Sequence, residues 1–129
     1  MNLRTRRLLP AACAFVLATS ALCASVDVDG DLMRGIDDTA KSLDSNVGQK
    51  DAKAAAADAR SLVDAFARIE SHYGEQPETA DAVGFAHHTQ ELAAQALKAI
   101  EASDFDAANT AVEQLTRSCK TCHEVYKKD

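Results

Sequence analysis

Three short breaks cut most of this chain into four stretches with one shared pattern, and that pattern limits the possible folds more than any other feature. Gly48 closes the first stretch, Gly74 and Pro77 the second, and Ser103-Asp104 the third. Within each stretch apolar residues recur at steps of three and four, the spacing of one face of an α-helix. The first helix is expected from about Asp31 to Asn46, with Leu32, Met33, Ile36, Ala40, Leu43 and Val47 on one face and Asp29 or Asp31 as its cap. Gly48 supplies its stop. The second is expected from about Asp51 to Tyr73, with a stripe of Ala52, Ala55, Ala59, Leu62, Phe66, Ile69 and Tyr73. The third runs from about Glu78 to Ala102 on Val83, Ala86, Ala93, Leu97 and Ile100, interrupted by the polar Gln90. The fourth runs from about Phe105 to Lys127 on Phe105, Ala108, Val112, Leu115, Cys119, Cys122 and Tyr126. Abundant alanine and only two prolines agree with helix. Four such helices on short turns predict an all-α, antiparallel up-down-up-down four-helix bundle.

The chain begins with Arg4, Arg6 and Arg7, followed by an apolar run from Leu8 to Ala24. This order reads as a secretory signal peptide over residues 1–24, with residues 25–129 as one mature domain exported to the periplasm. Pro10 within the run, and Asp27, Asp29 and Asp31 soon after it, make a membrane span a poor alternative. Cleavage takes away two of the four cysteines and one of the two methionines. The leader holds three arginines and no acid, so its loss moves the formal charge from −6 to −9. A balance that acidic argues against nucleic acid or anionic lipid as a partner. It suits a soluble protein, and equally one that docks on a basic patch.

The two remaining cysteines stand in Cys119-Lys120-Thr121-Cys122-His123. C-x-x-C-H is the attachment pattern of c-type haem, in which two thiols add to the porphyrin vinyl groups and the adjacent imidazole binds iron. On a helix these three side chains can meet one flat macrocycle. The alternatives are an exposed thiol pair beside an ordinary histidine, and half of a zinc site. A closed zinc site wants four ligands, and no further cysteine survives processing. A thioredoxin-type motif belongs near a βαβ pattern, which this sequence lacks. One covalent haem c held by Cys119, Cys122 and His123 is the expectation. If the haem were not attached, binding would be of the haem b kind.

In an up-and-down bundle the start of the first helix lies beside the end of the last, which sets Met33 at the level of His123. Met33 is also the only methionine outside the leader. Spacing alone leaves two readings level: an iron ligand, or a soft core side chain at a helix entrance. His72, His87 and His88 read as surface histidines. Tyr126 is a candidate for the haem edge and Arg34 or Lys127 for a propionate, although a core aromatic and surface cations explain them as well.

Two segments carry a resemblance. Leu32-Met33-Arg34-Gly35-Ile36-Asp37-Asp38, and Glu113-Gln114-Leu115 through His123-Glu124-Val125-Tyr126-Lys127, resemble the soluble four-helix b-type cytochrome of the bacterial periplasm. The C-terminal C-x-x-C-H resembles that of the class II c-type cytochromes, including cytochrome c prime. The first likeness implies Met33 and His123 as axial ligands. Cys119 and Cys122 stand where the b-type family has no thiols, and imply covalent attachment.

A haem with both axial positions filled implies a one-electron carrier between redox partner proteins, not an enzyme, and no catalytic constellation is visible in the sequence. If Met33 is unbound, the alternative is a five-coordinate haem protein that binds nitric oxide or carbon monoxide. Class II relatives are often dimers and the b-type relative is monomeric, so the resemblance leaves monomer or homodimer open.

Overall fold

The computed structural model describes residues 28–126. The expected leader, residues 1–24, and Lys127 lie outside the described residues. Among those described there are four helices and no strand: α1 (Gly30–Gly48), α2 (Ala52–Gly74), α3 (Ala80–Glu101) and α4 (Phe105–Tyr126). They form a four-helix bundle. None of these helices is long and apolar enough to cross a membrane.

Aspartates start three of the four helices. The Asp29 side chain accepts from the backbone N–H groups of Asp31 and Leu32 at 3.0 and 2.8 Å. Asp51 caps α2 through Ala54 N–H at 3.0 Å, and Asp104 caps α4 through Ala107 N–H at 3.0 Å. Each satisfies donors that have no partner within the helix. The turns between helices contain a surprise. Glycine was the expected stop after α1, yet among the described residues no glycine has positive φ. The left-handed positions are Lys50 (φ 58°), Glu78 (φ 66°) and Ser103 (φ 58°). Gly48 is simply the last residue of α1.

The core draws on all four stripes. Leu43, Leu62, Ile100 and Leu115, one from each helix, are fully enclosed. Small residues fill much of the remainder: Ala55, Ala59, Ala93, Ala96 and Ala108 have no exposed surface. Of the four neighbouring helix pairs, α2 and α3 pack together most extensively and α1 and α4 least. The α3 stripe differs in part from expectation. Ala86, Ala93 and Ile100 are buried as foreseen, but Ala82, Thr89, Leu92 and Ala96 join them, while Val83 and Leu97 are only half-buried. Close approach to α2 and α4 favours the flank with the smaller side chains.

Thr89 and Ser118 are the only buried polar side chains among the described residues. The Thr89 hydroxyl lies 2.7 Å from the Phe85 carbonyl and 2.6 Å from Ser118 Oγ. A hydroxyl has one proton. Thr89 therefore donates to the carbonyl and accepts from Ser118, joining α3 to α4. Replacing Thr89 with Val strands the Ser118 donor and is expected to cost about 1–3 kcal/mol in urea unfolding. Adding Ser118→Ala should restore most of that loss, because no buried polar atom is then left unpaired.

Candidate functional site

The C-x-x-C-H segment occupies the last two turns of α4. Burial changes there. Ser118 is the last buried residue of the helix, and none of the described residues after it is fully enclosed. Cys119 is half-buried against the core and Cys122 is half-buried, both as free thiols, while His123 is exposed. The same thinning occurs in α1, where no described residue before Ile36 is buried. Val28, Leu32 and Met33 are only partly covered. The two cysteines therefore lie where the core stops short and are not enclosed within it.

Both thiols are held in their protonated form. Burial, reinforced by the neighbouring Cys122, pushes Cys119 up to about 11 from an ordinary 9.0. Burial also raises Cys122, helped by the nearby Asp81 carboxylate. Catalytic disulfide exchange needs the opposite, a thiol whose pKa is lowered. Among the described residues no three His, Cys, Asp or Glu side chains come together as a metal-binding group.

Helical geometry then decides which flank each residue occupies. Ser42 and Asn46 mark the α2 side of α1, since both donate to Asp58 of α2, at 2.7 and 2.8 Å. Met33 and Asp37, one turn apart, lie on the opposite flank of α1. On α4, Ser118 marks the α3 side through its bond to Thr89. Cys119 and His123, also one turn apart, lie on the other flank. These two flanks border the loosely packed α1–α4 seam, and the Asp37 charge reaches the Cys119 thiol across it. Met33 thus lies half-buried on one side of the seam, with Cys119 and the exposed His123 on the other. His123 was expected to share the cysteine face. It sits at the edge of that face, where α1 covers little.

A second group surrounds Cys122. The Tyr126 hydroxyl donates to the Asp81 carboxylate in the first turn of α3. Its ring lies 5.7 Å from that of Tyr73, in the last turn of α2, and Tyr73 meets His72 edge-on at 5.2 Å. Burial raises the Tyr73 phenol, and the Cys122 charge adds to this. Sequence reasoning placed Tyr73 and Tyr126 on core stripes but missed Asp81. An acid in a first helical turn reads as an ordinary partner of the helix dipole, and nothing in its spacing names Tyr126.

The remaining histidines lie elsewhere. His87 is exposed between Glu70 and Glu91, at 3.3 and 3.5 Å. His88 lines an open groove of about 310 Å³ between α3 and α4, with Phe85, Gln114, Arg117, Ser118 and Thr121. That groove runs along a different face of α4 from Cys119 and His123. Comparison of the chain with protein-family models, with curated proteins and with solved structures found no match.

The raised Cys119 thiol has a consequence for stability. A group that holds its proton more tightly folded than unfolded stabilises the fold fully below its ordinary value of 9.0, and that contribution disappears as pH rises towards about 11. In protein with free thiols, the stability gap between wild type and Cys119→Ala should narrow by roughly 2 kcal/mol from about pH 8 to about pH 11, read by urea unfolding. Protein whose thiols are in thioether linkage should lack this component.

Proposed function

We propose that this chain is an exported, periplasmic one-electron carrier. One haem c is attached through Cys119 and Cys122, and its iron is held between His123 and Met33. The observation that carries the proposal is the early end of the core. Where α4 outruns the core, two neutral thiols are left half-buried and an imidazole exposed, with the half-buried Met33 thioether across the α1–α4 seam, and no hydrogen bond engages the His123 ring among the described residues. This donor set suits a flat, largely apolar group better than a compact metal ion, which needs several ligands around one point.

The cross-helix contacts support an antiparallel up-and-down order. Asn46 to Asp58, Glu101 to Arg60, Glu70 to His87 and Tyr126 to Asp81 each join the late part of one helix to the early part of a neighbour. That order brings Met33, in the first turn of α1, to the level of the last turns of α4.

His123 and Met33 would hold the iron, the haem would supply reversible one-electron exchange, and the soft thioether of Met33 would favour its reduced form. The chain's own contribution is to fix and shield. Cys119 and Cys122 fasten the group to α4. Leu32, Met33 and the adjoining core exclude water on the α1 side, and burial of this kind disfavours the more charged redox state. The acidic surface draws in cationic partner proteins with weak, fast and salt-sensitive docking. No catalytic role is proposed.

Absorption spectra of exported, matured protein test the reading. A pyridine haemochrome of the c type is expected, with a low-spin, six-coordinate ferric spectrum. Met33→Ala should keep the haem attached and open one axial position, giving a high-spin spectrum that shifts with carbon monoxide. A wild-type protein that already behaves in this way would be a five-coordinate gas binder, and the carrier reading would be wrong. Absence of haem from matured protein would overturn the whole proposal.

A further inference from the structure

The turn that carries Cys122 and His123 lies beyond the buried core of α4, so core packing does not hold it in place. Helix ends without tertiary contacts fray. What restrains this one is Tyr126. Its hydroxyl reaches across to Asp81 of α3, and its ring rests near Tyr73 of α2. One side chain therefore ties the end of α4 to two other helices.

Those anchor points are themselves held. Thr79 stands at the N-cap of α3 but makes no side-chain cap bond. Its hydroxyl turns back across the loop and donates to the Tyr73 carbonyl at 2.6 Å, with the Gln76 carbonyl at 3.1 Å. A conventional Thr cap is worth roughly 1 kcal/mol, and here that contribution is forgone. In exchange the end of α2 is joined to the start of α3. Glu78, in the left-handed region, makes the sharp turn between them. Tyr73, Thr79 and Asp81 thus form one braced platform, on which Tyr126 closes.

We propose that Tyr126 and Asp81 form a clamp that sets the position of the C-x-x-C-H turn, with Tyr73 as its floor. The clamp is a positioning device for the haem-bearing residues. Its significance for haem rests on the proposed function, although the clamp itself can be tested without haem. Both titrations agree with the bond. The Tyr126 hydroxyl holds the Asp81 carboxyl below the usual carboxylate range, and Asp81 raises the Tyr126 phenol in return. Cys122 lies within the field of Asp81, so the clamp and the thiol are close neighbours.

The test uses full-length protein purified with its thiols free, as wild type, Tyr126→Phe, Asp81→Ala and the double variant. Amide hydrogen exchange over residues 122–126 should speed up at least about tenfold in either single variant. The double variant should show little further change, because both substitutions break one bond. Exchange in α4 before Ser118 should stay as in wild type. Alkylation of Cys122 should quicken while that of Cys119 does not, and Asp81→Asn, which keeps an acceptor oxygen, should return most of the protection. Unchanged exchange at residues 122–126, or a uniform and additive rise along all of α4, would overturn the clamp. If the haem-loaded protein is obtained, Tyr126→Phe should also shift its reduction potential. If exported, matured protein carried no haem while the free-thiol protein showed the localised, non-additive response, the clamp would stand and the carrier reading would fall.

Discussion

Burial of four apolar stripes is the interaction on which this molecule depends, and its extent is set by side-chain size. Alanine dominates the interior, so the helices approach closely and a few large residues, Leu43, Leu62, Ile100 and Leu115, tie the layers together. The stripes do not end where the helices end. α4 continues for two turns past its last buried residue, and α1 begins before its first. The chemistry-bearing side chains are concentrated in this overhang. Enclosed thiols could not be reached by a bulky group, and fully exposed ones would not be shielded from water.

Polar interactions take over where apolar burial gives out. Thr89 and Ser118 join α3 and α4 just before the core stops. Tyr126 and Asp81 do the same beyond it. The charges near the thiols are mainly acidic, Asp37 for Cys119 and Asp81 for Cys122, and they act with burial to keep both sulfurs protonated. This environment is the reverse of the electropositive one found around reactive cysteines.

Much of the fold could be read from the sequence because helical periodicity is a local property. Four helices, their approximate bounds, a cap at Asp29 or Asp31 and a break at Ser103-Asp104 follow from spacing and from aspartate chemistry, and Asp29 is the residue that caps α1. Details that depend on a neighbour's proximity could not be read. The expected α3 stripe of Val83, Ala86, Ala93, Leu97 and Ile100 holds at Ala86, Ala93 and Ile100, whereas packing leaves Val83 and Leu97 half-buried and encloses Ala82, Thr89, Leu92 and Ala96. The turn after α1 was assigned to glycine, whereas Lys50 takes the left-handed conformation. The motif itself was plain in the letters Cys119, Cys122 and His123. The exposure of His123 was not, because it depends on how thinly α1 covers that flank of α4. Asp81 carried no sequence signal at all, since its partner is 45 positions away.

The uneven packing of the bundle also gives it a mechanical character. α2 and α3 form a spine, while α1 and α4 meet each other only lightly, like the two covers of a book. In such a body the α1–α4 boundary has the fewest contacts to lose on parting. The proposed haem would thus be taken up at the boundary whose parting disturbs the interior least, with the half-buried sulfurs of Met33 and Cys119 on its two sides.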